Sequence, residues 1–143
     1  MNTIQETIGR ARVIAALAIG AVALLGAVVT AKADGDQAHP VFAGQLPNVP
    51  GKGMTAVVVN YAPGGKSQAH HHAGSVFAYV LSGSIRSENS ATGDAKVYHA
   101  GESFFEPPGS EHLISENASA TEPASLLAVF VADDGAKLTT FDK

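Results

Sequence analysis

Beyond Ala33 the chain is a succession of short apolar runs cut at near-regular intervals by turn signals, and no segment there has a helical period. Residues 55–61, 76–81, 95–99, 103–106 and 126–132 are rich in Val, Leu, Phe and Tyr, the composition of strands. Between them stand Pro63-Gly64-Gly65, Ser82-Gly83, residues 89–94, Gly101 and Pro107-Pro108-Gly109, which are turn chemistry. Residues 84–88 alternate and fit a hairpin arm. About eight to ten short strands at such spacing predict an all-β sandwich or barrel. Closing the sheet removes the unpaired edges that a small domain would otherwise expose. Residues 34–50, punctuated by Pro40, Pro47 and Pro50, read as an extended lead-in with one short edge strand at Val41-Phe42. Residues 133–143 read as a tail.

The first 33 residues are of another kind. A polar start carrying Arg10 and Arg12 leads into an uninterrupted apolar run over residues 13–30, followed by the small-x-small triplet Ala31-Lys32-Ala33. These are the three parts of a secretory signal peptide, cleaved after Ala33. The alternative is an uncleaved anchor, since the run approaches the length that spans a bilayer, although its Ala and Gly content weakens it as a permanent span. In either case the arginines favour the cytoplasm and the rest of the chain is exported to the periplasm or beyond. The expected organisation is therefore a signal segment over 1–33 and one domain over 34–143.

Charge and cysteine content exclude several functions. The formal net charge is −4, and −6 once Glu6, Arg10, Arg12 and Lys32 leave with the signal segment. That balance argues against binding a nucleic-acid backbone. With no cysteine there is neither a disulfide framework nor a thiolate metal site, so any metal must be held by His and carboxylates. Membrane contact is expected only through the N-terminal segment, if it is retained.

The histidines are unevenly distributed. His70, His71 and His72 are consecutive at the start of an extended piece. Residues two apart on a strand share a face, so His70 and His72 can converge on one ion while His71 points away. Their Cα atoms would lie roughly 6–7 Å apart. A third ligand must come from elsewhere, and His112, just after the Pro107-Pro108-Gly109 turn, is the candidate. His39 and His99 have no partner at chelating spacing and read as surface residues.

These residues carry a resemblance. Gly64, five residues, His70, one, His72, three, Val76, six, Gly83 resembles the first motif of the cupin superfamily, G-x5-H-x-H-x3-E-x6-G. Gly101, five residues, Pro107, one, Gly109, two, His112 resembles the second, G-x5-P-x-G-x2-H-x3-N, with the closing Asn one place late at Asn117. The resemblance implies a single-domain double-stranded β-helix or jelly-roll barrel, often a homodimer, with His70, His72 and His112 binding a divalent metal inside it. The departure is Val76, where the family's motif usually supplies a carboxylate ligand. A valine cannot ligate, so the site resembles the smaller group of cupins with three-histidine centres. A neutral ligand set leaves more of the ion's charge uncompensated and lowers the pKa of bound water.

Glu106, ahead of Pro107, is the carboxylate best placed to compensate, as a general base or by orienting water. It shares a strand face with Phe104, while Phe105 faces the other way; alternation does not decide which face is inner. Glu102 and Glu111 read as exposed turn residues. Phe77, Tyr79, Phe104 and Phe105 read as walls of the barrel or filling between its sheets. Three-histidine cupins that this chain resembles include oxygenases, so the resemblance implies a metal-dependent dioxygenase acting on a small enolic or phenolic molecule. Iron is favoured, with zinc, manganese, nickel and copper as alternatives. A non-redox lyase, isomerase or hydrolase with Glu106 as base, and a non-catalytic small-molecule-binding barrel, are the other readings.

Overall fold

The structure, a computed structural model, describes residues 37–143; the signal segment expected over 1–33 lies outside the described residues. Among the described residues there are ten strands and no helix. They are β1 (Gln37–Gln45), β2 (Lys52–Tyr61), β3 (His70–His72), β4 (Ser75–Ser82), β5 (Ser84–Asn89), β6 (Gly93–His99), β7 (Ser103–Glu106), β8 (Glu111–Asn117), β9 (Ala124–Asp133) and β10 (Thr139–Phe141). Two five-stranded antiparallel sheets result, in the orders β1-β2-β9-β4-β7 and β10-β3-β8-β5-β6. Late strands sit between early ones: β9 separates β2 from β4, and β8 separates β3 from β5.

The two sheets share one apolar core. Val76 and Val80 of β4 and Leu126, Ala128 and Phe130 of β9 meet Ile85 of β5, with Tyr61 and Ala124 completing the cluster. Strand alternation sorts the rest. In β4 Val76, Ala78 and Val80 are buried, while Phe77, Tyr79 and Leu81 are exposed. Of the four aromatics expected inside, only Phe104 lies against the core, its ring tilted 37° to that of Tyr98 with centroids 4.8 Å apart. Phe77, Tyr79 and Phe105 stand on the outer face. The physical reason is the period of two: valines and alanines take the inward positions, and Ala78 pairs directly with Ala128. Small residues at that pair leave space between the sheets instead of filling it.

Both ends of the described region are more regular than expected. Within the lead-in, β1 is a nine-residue edge strand that pairs with β2 along its length, bulged between Pro40 and Phe42. Proline and a bulge both blunt an edge against further pairing. Edges remain on both sheets, since β1, β7, β10 and β6 each end a strand order. The tail folds back as β10 onto β3, placing Thr139 opposite His72 and Phe141 opposite His70. Gly83, the last glycine of the first motif, has φ +67, and a Cβ there would meet Pro123 O at 2.6 Å. Both the turn conformation and the close approach exclude a side chain.

Candidate metal centre

The two histidine segments are brought together by register. β3 pairs antiparallel with β8, and His70 stands opposite His112. Gly109, in the turn before β8, donates its N–H to the His72 carbonyl at 2.8 Å. The three imidazoles are buried, with 6 % of His70, 6 % of His72 and 3 % of His112 exposed. Their ring centroids lie 4.7, 5.0 and 6.4 Å apart, and one ligand nitrogen from each falls within 4.8 Å of the others. His71 points outward, as alternation requires, with Nδ1 3.0 Å from the Asp142 carboxylate. His39 and His99 are exposed.

Each ring is oriented by its second nitrogen. His70 Nδ1 lies 2.6 Å from the Gln68 carbonyl, and His72 Nδ1 is 3.1 Å from both Leu138 O and Thr139 Oγ1. A carbonyl acceptor makes Nδ1 the protonated nitrogen, which puts the lone pair on Nε2. For His112 the roles reverse. Nε2 lies 2.8 Å from Ser87 Oγ, and Nδ1 is buried with no hydrogen-bond partner. An orphaned nitrogen on one of three buried imidazoles, whose ligand atoms can lie within 4.8 Å of one another, is what a bound cation would satisfy. The donor set, three imidazoles without thiolate, suits a divalent ion of the iron-to-zinc group.

Glu106 lies on the inner face, the question that alternation left open, and is 3 % exposed. Its Oε2 is 3.0 Å from His112 Nδ1 and 3.9 Å from His72 Nε2. The shorter separation is within hydrogen-bond range, but Nδ1 still lacks a partner, so the two atoms are close without being aligned. Burial by itself would raise the Glu106 carboxyl pKa. The adjacent His112, with His72 and His70 beyond it, reverses that and holds the carboxyl below its usual range. His72 is shifted down as well, chiefly by burial and against the pull of Glu106, which favours the neutral imidazole that a metal needs.

A cavity of about 300 Å³ opens onto this cluster. Its walls are mostly apolar, among them Val57, Ala78, Phe104, Leu126 and Phe130, and Glu106 is the only acid among the described residues that line it. Among the described residues no Lys or Arg lines it. Phe130, Phe141, Ser87 and Thr139 were not picked out as site residues from the sequence. Phe130 has its ring centroid 5.0 Å from that of His72, and Phe141 5.8 Å from that of His70. The inward parity of β9 could have found Phe130. The run Thr139-Thr140-Phe141 has strand composition, but nothing local says which strand it joins. The closing Asn117 of the second motif serves a loop instead. Its amide donates to Ala62 O at 3.1 Å and Glu122 O at 2.7 Å, and its Oδ1 accepts from Ser119 N at 2.9 Å.

Two facing antiparallel sheets with a histidine cluster between them define a double-stranded β-helix with a candidate metal centre. The cupin-domain family model matches residues 57–130, just over half of the chain, and the chain belongs to the cupin family. Comparison with curated proteins found no match. Among solved structures the chain is similar to an uncharacterized conserved protein with a double-stranded beta-helix domain from Klebsiella pneumoniae subsp. pneumoniae MGH 78578. That likeness has a TM-score of 0.60 and 22% identity, over 76% of this chain and 85% of that one. It is also similar to oxalate oxidase in complex with the substrate analogue glycolate, with TM-score 0.58, 22% identity and 75% and 55% coverage. DMSP lyase DddQ from Ruegeria pomeroyi DSS-3 has TM-score 0.59, 16% identity and 76% and 52% coverage. The chain therefore spans about half the length of each of these two enzymes, and identities at this level carry the fold alone.

Proposed function

We propose that this chain is an exported cupin that holds a divalent metal, iron by preference, through His70, His72 and His112 and acts as a dioxygenase on a small enolic or phenolic molecule. The observation that carries the reading is the set of three buried imidazoles, two oriented through Nδ1 and the third with an orphaned Nδ1, with ligand nitrogens within 4.8 Å. An ion held there supplies positive charge to a chelating oxygen pair and, when it is iron, the redox chemistry that dioxygen requires. The chain's own contributions are positional. The apolar walls accept a carbon skeleton and exclude water, and the lack of Lys and Arg among the described lining residues disfavours dianionic substrates. Glu106, ionised beside the histidines, takes the proton that an enol or phenol releases on binding.

A non-redox reading has one specific support, the same carboxylate, because a buried base beside a cation also suits elimination or isomerisation. The deciding experiment is anaerobic purification, metal analysis, and oxygen uptake over a panel of diketones, catechols and thiols. Iron with substrate-dependent oxygen uptake supports the dioxygenase. Zinc with no oxygen uptake supports the lyase, isomerase or hydrolase reading. No bound metal, together with a His70→Ala variant of unchanged melting temperature, overturns both enzyme readings and leaves a small-molecule-binding barrel. Export is tested separately by the mass of the protein recovered outside the cytoplasm, which should begin at Asp34.

A further inference from the structure

We infer that Glu106 is a fourth metal donor, supplied from β7 in place of the carboxylate that position 76 lacks. The inference deepens the metal-centre reading and rests on it. Position 76 is 1 % exposed and lines the same cavity as the three histidines, but valine has no donor atom. The residue directly opposite it across the β4–β7 ladder is Glu106. Side chains of opposed residues leave the same face, with Cβ atoms about 4.5–5.5 Å apart, so a carboxylate on either strand reaches the same space.

The distances place the carboxylate beside two of the three imidazoles that form the metal-holding group. Glu106 Oε2 lies 3.0 Å from His112 Nδ1 and 3.9 Å from His72 Nε2. Two donors at right angles about an ion, each bonded at about 2.1 Å, stand about 3 Å apart. Nδ1 of His112 makes no aligned hydrogen bond despite that proximity, and both residues border the same cavity. The other polar contact recorded for Glu106 is a long one, Asn89 Nδ2 donating to Oε2 at 3.4 Å. A carboxylate this buried, in a cavity lined by no Lys or Arg among the described residues, needs positive charge nearby. Ligation through Oε2 supplies it and leaves Oε1 to accept a substrate proton. The ligand set is then three imidazoles and one carboxylate, not a neutral trio.

The test is Co(II) titration of the purified protein, read by dissociation constant and visible absorption. It compares wild type, Glu106→Gln, Glu106→Ala and the double variant Val76→Glu/Glu106→Val. Metal-free melting curves serve as the control for folding, and Glu106→Gln keeps the side-chain shape if Glu106→Ala does not fold. Loss of the carboxylate should weaken Co(II) binding about 100-fold or more and change the absorption spectrum, beyond what loss of a merely orienting residue gives. The double variant, which returns the carboxylate to the opposed strand, should recover the spectrum and most of the affinity. An unchanged spectrum in Glu106→Gln, whatever the affinity, overturns the inference while leaving the histidine centre standing. Failure of the wild type to bind Co(II) overturns the histidine centre as well.

Discussion

At the residue scale, the histidines differ in what holds them. His70 and His72 are oriented by backbone carbonyls, whereas His112 is oriented by the Ser87 hydroxyl. Ser87→Ala should therefore weaken divalent-metal binding about 10- to 100-fold without unfolding the protein, measurable by competition with a chromophoric chelator. Acid sensitivity has a direction too. In the metal-free protein His72 is held below its ordinary 6.5 and Glu106 below its ordinary 4.5. As pH falls through each ordinary value the unfolded chain takes up protons before the folded one does, so stability falls. The loss from His72 begins near pH 6.5 and that from Glu106 near pH 4.5, each continuing down to the folded value. Melting temperatures of metal-free protein should decline steadily on acidification from pH 7. A rise between pH 7 and 5 would contradict this assignment.

At the element scale, β10 is short but touches the centre at several points. It pairs with β3, Thr139 Oγ1 and Leu138 O meet His72 Nδ1, and Asp142 N donates to Ala69 O at 3.0 Å. Truncation after Ala136 should lower metal affinity by about 10-fold or more, through loss of the groups that orient His72, while circular dichroism keeps its β signature. The turn between β4 and β5 gives a second test. Gly83→Ala forces a side chain into a left-handed conformation against Pro123 O and should cost at least about 1–2 kcal/mol in chemical denaturation. The strands, their order in the chain and their turns were legible because each has a local signal: β-branched runs of period two, and Gly or Pro at the breaks. β1 and β10 were underread because both are edge strands. Proline thins the signal of β1, and β10 is only three residues long.

At the scale of the whole molecule, the two sheets present different outer faces. On the second, Arg86 and Glu116 form an ion pair at 2.9 Å, and Glu88 and Glu111 add charge. On the first, Phe42, Phe77, Tyr79, Leu81, Phe105 and Val131 are all exposed. Register places Phe77 between Phe105 and Val129, and Phe42 beside Ala56, so these residues run across the sheet as one band. Five strands at about 4.8 Å spacing make it roughly 20 Å wide. Bands of this kind mark interaction surfaces, and an uncharged one suits a second copy of the same chain. Sedimentation should give a dimer, and Phe77→Lys with Phe105→Lys should give a folded monomer; a monomeric wild type would refute the pairing.

Local sequence determined the all-β class, the positions of the turns and the identity of the three histidines, because strand period and turn chemistry act over a few residues. Motif spacing added the family and its barrel. The tertiary structure decided what depends on partners distant in the chain. It showed that Glu106 faces inward, opposite Val76, that Ser87 and Leu138 orient the rings, and that Phe77, Tyr79 and Phe105 face out while alanines leave a cavity. Alternation assigns residues to two faces but does not say which face is inner. Only pairing between distant strands makes that choice, and in this chain that choice sets the carboxylate beside the histidines.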